Sequence, residues 1–138
     1  MAARQTFFQS AFYTVALTGM LMLPAAAILW WMASYIEIQI GTGSNGTQNP
    51  GTYIRYAAAA LVTIGLLLTG GAIAFAKKAA AGKYILTTGC CAAVVISLWP
   101  VIDFIAVAPR WWIVAAASLG WLIFSSPYAA LFWMLRRR

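Results

Sequence analysis

The chain has 138 residues, of which 64% are apolar and 8% charged, with a mean hydropathy of +0.86 and a formal net charge of +7. A soluble domain carries about 25% charged residues, so this composition excludes an ordinary water-facing surface and makes lipid the solvent for most of the chain. Histidine is absent and Glu37 and Asp103 are the only acids, which removes imidazole metal or haem ligation and leaves little for acid–base catalysis. The composition therefore points away from an enzyme and implies no cofactor or metal.

A membrane-spanning helix needs about 20 predominantly apolar residues, and four windows supply them, at approximately 8–35, 54–76, 84–107 and 111–135. The expected fold is an all-α integral membrane protein, one domain over 1–138, with four transmembrane helices in an up-down bundle. The first window, within "FFQSAFYTVALTGMLMLPAAAILWWMASYI", has Arg4 ahead of it and small residues after Pro24, which imitates a cleavable signal peptide. Its apolar run continues through "ILWWMASYI", so it reads as a retained span. Ser10, Thr14 and Thr18 form a hydroxyl-bearing stripe along it, suited to helix association.

The outer loop 37–52 follows. Ile36, Ile38 and Ile40 alternate with Glu37 and Gln39, and "TYIRY" resumes an alternating pattern after a Gly/Ser/Asn-rich middle, which is compatible with a short β-hairpin. "NGT" at Asn45–Thr47 fits a glycosylation sequon and serves equally as a turn.

The second window holds Gly65 with Thr69 and Gly70 with Ala74, and the third holds Gly89, Ala93 and Ser97, all at four-residue steps. That spacing lets membrane helices approach closely, where lipid supplies no hydrophobic push between them. Cys90 and Cys91 are adjacent, so they form neither a CxxC redox pair nor a zinc knuckle. They read as small apolar packing residues, with palmitoylation as the alternative. Pro24, Pro100 and Pro127 fall inside the first, third and fourth windows, where they act either as hinges or as tolerated interruptions.

Orientation follows from the basic residues. Arg4, Lys77, Lys78, Lys83, Arg136, Arg137 and Arg138 fall on one side, against Arg55 and Arg110 on the other. Both termini are therefore expected to be cytoplasmic. Glu37 and Asp103 share the outer side with Arg55 and Arg110 and offset them, so the net charge gathers on the inner face. There Lys77, Lys78, Lys83, Arg136, Arg137 and Arg138 are expected to contact lipid headgroups, and no nucleic acid is needed to explain them. Aromatic belts agree: Trp30, Trp31, Trp99, Trp111 and Trp112 near the outer boundary, Phe7, Phe8, Tyr84 and Trp133 near the inner one.

Asp103 is the acid closest to an apolar run. Counting about 30 Å of hydrocarbon at about 1.5 Å per residue from Tyr84 puts it at the outer boundary, where the cost of a carboxylate largely vanishes. Arg55 and Arg110 are its candidate partners in an interfacial ion pair, with a substrate or ion contact as the alternative.

With little catalytic chemistry, close-packing faces and almost no soluble domain, the sequence best fits a non-catalytic integral subunit or assembly/stabilising factor of a larger membrane protein complex. Its partners would be membrane lipids and other integral membrane subunits. The alternatives are a small oligomeric transporter or channel and a membrane-active phage or immunity-type protein. The bacterial inner or plasma membrane is the expected location, with an organelle membrane as the alternative.

Overall fold

The computed structural model describes residues 2–40, 50–107 and 110–137, and the side chains of 5–36, 51–107 and 110–137. Its elements are helices: α1 (Ala2–Ile40), α2 (Pro50–Ala76), α3 (Gly82–Val107) and α4 (Trp111–Arg136). Among the described residues there is no strand. All four helices are long and apolar enough to cross a membrane, with candidate spans Gln5–Ile36, Gly51–Ala76, Gly82–Val107 and Trp111–Arg136. In hydrocarbon no water meets a backbone N–H or C=O, so a helix, which satisfies both within one segment, is the state these apolar runs adopt.

The first helix exceeds its expected span. Its 39 residues amount to about 58 Å, roughly twice the hydrocarbon thickness. The helix carries on through Ile36–Ile40, and "TYIRY" lies inside α2, so both expected hairpin arms are helical backbone. Alternation over five residues was too short a signal. Extending a formed helix adds one hydrogen bond per residue without a new nucleus, and Pro50 opens α2 at the position where its missing N–H removes nothing. The sequon at Asn45 and the rest of 41–49 lie outside the described residues.

Pro24, Pro100 and Pro127 sit inside their helices without ending them. At Pro127 the carbonyl left without its usual donor is that of Ile123, four residues earlier, and the Ser126 hydroxyl donates to it at 2.9 Å. A side chain thus replaces the lost backbone bond. The expected hydroxyl stripe on α1 also turns inward on its own helix. Thr14 donates to the Ser10 carbonyl at 2.9 Å and Thr18 to the Thr14 carbonyl at 2.6 Å, which satisfies each hydroxyl locally and takes those two donors away from neighbouring helices.

Each helix packs on the next, α1 on α2, α2 on α3 and α3 on α4, and α4 returns to α1. The ring encloses a core that includes Val15, Leu68, Leu86, Tyr128, Leu131 and Leu135, all essentially inaccessible. Glycines set the spacing. A Cβ on Gly19 would lie 2.8 Å from Leu68 Cβ, and one on Gly65 would lie 3.0 Å from the Gly19 carbonyl oxygen, so α1 and α2 touch backbone to side chain there. On the other face of α2, a Cβ on Gly71 would lie 2.6 Å from the Leu86 nitrogen, and one on Gly82 would collide with the backbone of Ala74 and Phe75. Dispersion at such short range substitutes for the hydrophobic drive that lipid withholds.

The α2–α3 turn is built on backbone hydrogen bonds. Ala79 N–H reaches the Ala74 carbonyl at 2.9 Å and Lys78 N–H the Phe75 carbonyl at 3.0 Å, while Lys78 has φ 56°. This is a Schellman cap, whose left-handed position is ordinarily filled by glycine.

Candidate functional site

Two regions combine polar chemistry with space. The first joins the start of α2 to the end of α3. The Tyr53 phenol donates to Asp103 Oδ2 at 3.0 Å. The Arg55 guanidinium lies over the Trp30 ring, 5.5 Å from its centroid. Counting along the sequence placed Asp103 at a boundary and offered Arg55 and Arg110 as partners, whereas the partner seen for its carboxylate is a phenol one helix away. Alongside runs a groove of about 480 Å³ between α2 and α3, which Met22 of α1 and Phe124 of α4 help to line. Tyr53, Tyr56, Trp99, Pro100, Ile64 and Ala93 line it, so its walls are apolar apart from the phenols, the Trp99 indole N–H and the Ser97 hydroxyl. That hydroxyl is already engaged: Trp121 Nε1–H donates to it at 3.1 Å, and it donates in turn to the Val94 carbonyl at 2.9 Å. Such a groove suits an apolar side chain or hydrocarbon tail.

The second region lies beside the α2–α3 turn. A cavity of about 530 Å³ is lined by Phe8 and Phe12 of α1, Phe75 of α2, Lys78 of the turn and Lys83 of α3. The rings form one cluster, Phe75 lying 6.1 Å from Phe8 and 5.9 Å from Phe12. Three aromatic rings and two lysines in one lining make an amphiphilic surface. Among the described residues no group of three or more His, Cys, Asp or Glu side chains converges.

The residues expected from sequence divide between seams and surfaces. Gly89 meets Leu67 and Leu68, Ala93 is buried, Gly65 faces Leu23, and Thr69 and Ala74 lie against Gly19 and Gly82 respectively. Gly70 meets no neighbouring helix of the chain. No heavy atom lies within 4 Å of where its Cβ would be, because the next residue, Gly71, occupies the seam and consecutive helical residues point about 100° apart. Cys90 packs in the core and Cys91 is exposed, which corrects the reading of both as packing residues for the same reason. Lys77, Lys78 and Arg110 are exposed, as are Arg136 and Arg137, the last of which stacks 3.6 Å over the Trp133 ring. The side chains of Arg4 and Glu37, and Arg138 altogether, lie outside the described residues.

Sequence inspection missed Gly19, Gly71 and Gly82 as seam residues, and Tyr53 and Trp121 as polar partners. A signal for the last two exists. Residues about equidistant from a tight turn meet when the two helices run back along each other. Ser97 and Trp121 each stand 12 positions from residue 109, while Tyr53 and Asp103 stand 26 and 24 positions from residue 79.

Comparison with protein-family models, with curated proteins and with solved structures finds no match to the chain.

Proposed function

We propose that the chain is a non-catalytic integral subunit or assembly and stabilising factor of a larger membrane complex. Its four helices would run up and down through a bacterial inner or plasma membrane, with both termini on the cytoplasmic side. Support for the up-down course comes from paired ends: Phe8 beside Phe75 at one end of α1 and α2, Trp30 beside Arg55 at the other, and Tyr53 beside Asp103 where α2 begins and α3 ends. Support for the orientation is the excess of Lys and Arg on the terminal and α2–α3 turn side.

The observation that carries the subunit role is the uneven burial of the four helices. Of their most apolar windows, 33% is buried in α2 but 11% in α3 and in α4. The outward face of α4 combines Leu119, Leu122 and Ile123 with Gly120, which has no heavy atom within 4 Å of its Cβ position, and Gly70 leaves a similar flat spot on α2. Large side chains around a flat spot give a neighbouring helix a place to approach closely.

A photo-crosslinking side chain placed at Leu119 tests this in native membranes. The expected product is an adduct with one different membrane polypeptide that also co-migrates with the chain on native gels at fixed stoichiometry. A lone 14.9 kDa monomer in membranes and on the gel would overturn the proposal. The second reading, a small oligomeric transporter or channel, is favoured by the apolar groove beside Tyr53 and Asp103, and an adduct with a second copy of the chain would select it.

A further inference from the structure

We infer that the cavity beside the α2–α3 turn binds an anionic phospholipid, its phosphate held by Lys78 and Lys83 and an acyl chain laid against Phe8, Phe12 and Phe75. The inference deepens the proposal above and rests on the chain spanning a membrane with this turn at a headgroup layer.

The charge at this site has no acidic side chain near it. The chain contains two acids, Glu37 and Asp103. Asp103 bonds Tyr53 and lies 20 residues along α3 from Lys83, about 30 Å away by helical rise. Glu37 lies 29 residues along α1 from Phe8, about 44 Å by the same measure. Neither acidic side chain is therefore within reach of Lys78 and Lys83, and at a membrane surface the abundant anion is a lipid phosphate.

The position of Lys78 adds a second, independent observation. Its φ of 56° is the left-handed conformation that costs a side-chain-bearing residue energy and glycine nothing. Lysine at a glycine position is locally unfavourable, and such strain concentrates where a side chain is needed for binding. The turn that holds it is constrained, since the Schellman bonds fix its backbone and Gly82 lies directly against the backbone of Phe75. The backbone positions of Lys78 and Lys83 beside the aromatic walls are consequently set before any ligand arrives, which lowers part of the ordering cost of binding. The walls explain why the ligand is an amphiphile: three rings offer a phosphate ion nothing, and offer a hydrocarbon chain a contact surface.

The test uses the full chain in mild detergent, with bound lipid counted by native mass spectrometry. Phosphatidylglycerol, phosphatidylcholine and inorganic phosphate are titrated separately. Phosphatidylglycerol is expected to be retained at roughly tenfold lower concentration than phosphatidylcholine, with Lys78→Gln and Lys83→Gln each losing most of that preference. Lys77→Gln removes the same charge from a residue outside the cavity lining and is expected to leave the preference intact. Lys78→Gly separates folding from binding: it relieves the strained turn, so thermal stability holds or rises while the lipid preference falls. Equal losses in Lys77→Gln and Lys78→Gln would overturn the site in favour of a diffuse basic surface, and displacement of the lipid by an equal concentration of inorganic phosphate would overturn the amphiphile. Release of the chain from membranes by alkaline carbonate would refute the membrane reading itself. A chain that stays in the membrane yet shows no preference between the two lipids refutes the site alone.

Discussion

Gly70 and Gly71 are neighbours on α2 with opposite surroundings, and alanine at each should have opposite effects. In Gly71→Ala the new Cβ would lie 2.6 Å from the Leu86 nitrogen and 2.8 Å from its Cα. Comfortable contact begins near 3.5 Å, so α2 and α3 must separate locally by about 0.9 Å, and a gap of that size forfeits roughly a quarter to a half of each dispersion contact along the seam. The contacts at stake include Gly89 against Leu67 and Leu68. Overpacking of this type costs about 1–3 kcal/mol. Gly70→Ala meets no atom within 4 Å and gains the helix preference of alanine over glycine, up to about 1 kcal/mol in a helix interior. Thermal unfolding of the two purified variants in one detergent provides the assay. Gly71→Ala should melt well below the parent and Gly70→Ala at or above it. Equal melting temperatures, or the reverse order, would refute the glycine-spaced α2–α3 seam.

Other expectations follow from single contacts. Tyr53→Phe and Asp103→Asn should each destabilise by about 1 kcal/mol, because the hydrogen bond is charge-assisted but its phenol is 47% exposed. A double-mutant cycle that returns no coupling energy would show that the pair does not interact. Ser97→Ala and Trp121→Phe remove the same hydrogen bond between α3 and α4, so the double variant should lose less than the sum of the singles, with a coupling near 0.6 kcal/mol. Cys90→Leu forces a larger side chain into the core and should cost about 1–3 kcal/mol, whereas Cys91→Leu on the exposed face should change stability by less than about 0.5 kcal/mol, and equal losses on thermal unfolding would contradict the packing of α3.

Composition and run length made the four helices legible, because hydrocarbon admits so few backbone states that about 20 apolar residues nearly dictate a helix. The failures have local causes. At Ile36–Ile40 a five-residue alternation competed with an existing helix that gained a hydrogen bond at every step. The four-residue repeat from Gly70 to Ala74 did not say which helix each end faces: Ala74 lies against Gly82, while Gly70 is open and the seam beside it passes through Gly71, a glycine with no small partner at that spacing. The repeat through Gly89 and Ala93 coincides with the face that α3 turns toward α2. Asp103 was placed by counting rise, yet the pairing with Tyr53 required the register of two helices across a turn, which charge accounting alone does not contain. Nothing in hydropathy marked the cavity under Lys78 and Lys83, since it arises where three phenylalanines from two helices come together beneath a turn.

Reporter fusions at defined positions test the four-span course and its orientation most directly. A fluorescent reporter that folds only in the cytoplasm, fused after Arg138 or inserted after Ala80, should be active at both positions, while a phosphatase active only after export should work when inserted after Asn45 or after Pro109. Phosphatase activity at Ala80 or at Arg138, or fluorescence at Asn45, would contradict four up-and-down spans with both termini inside.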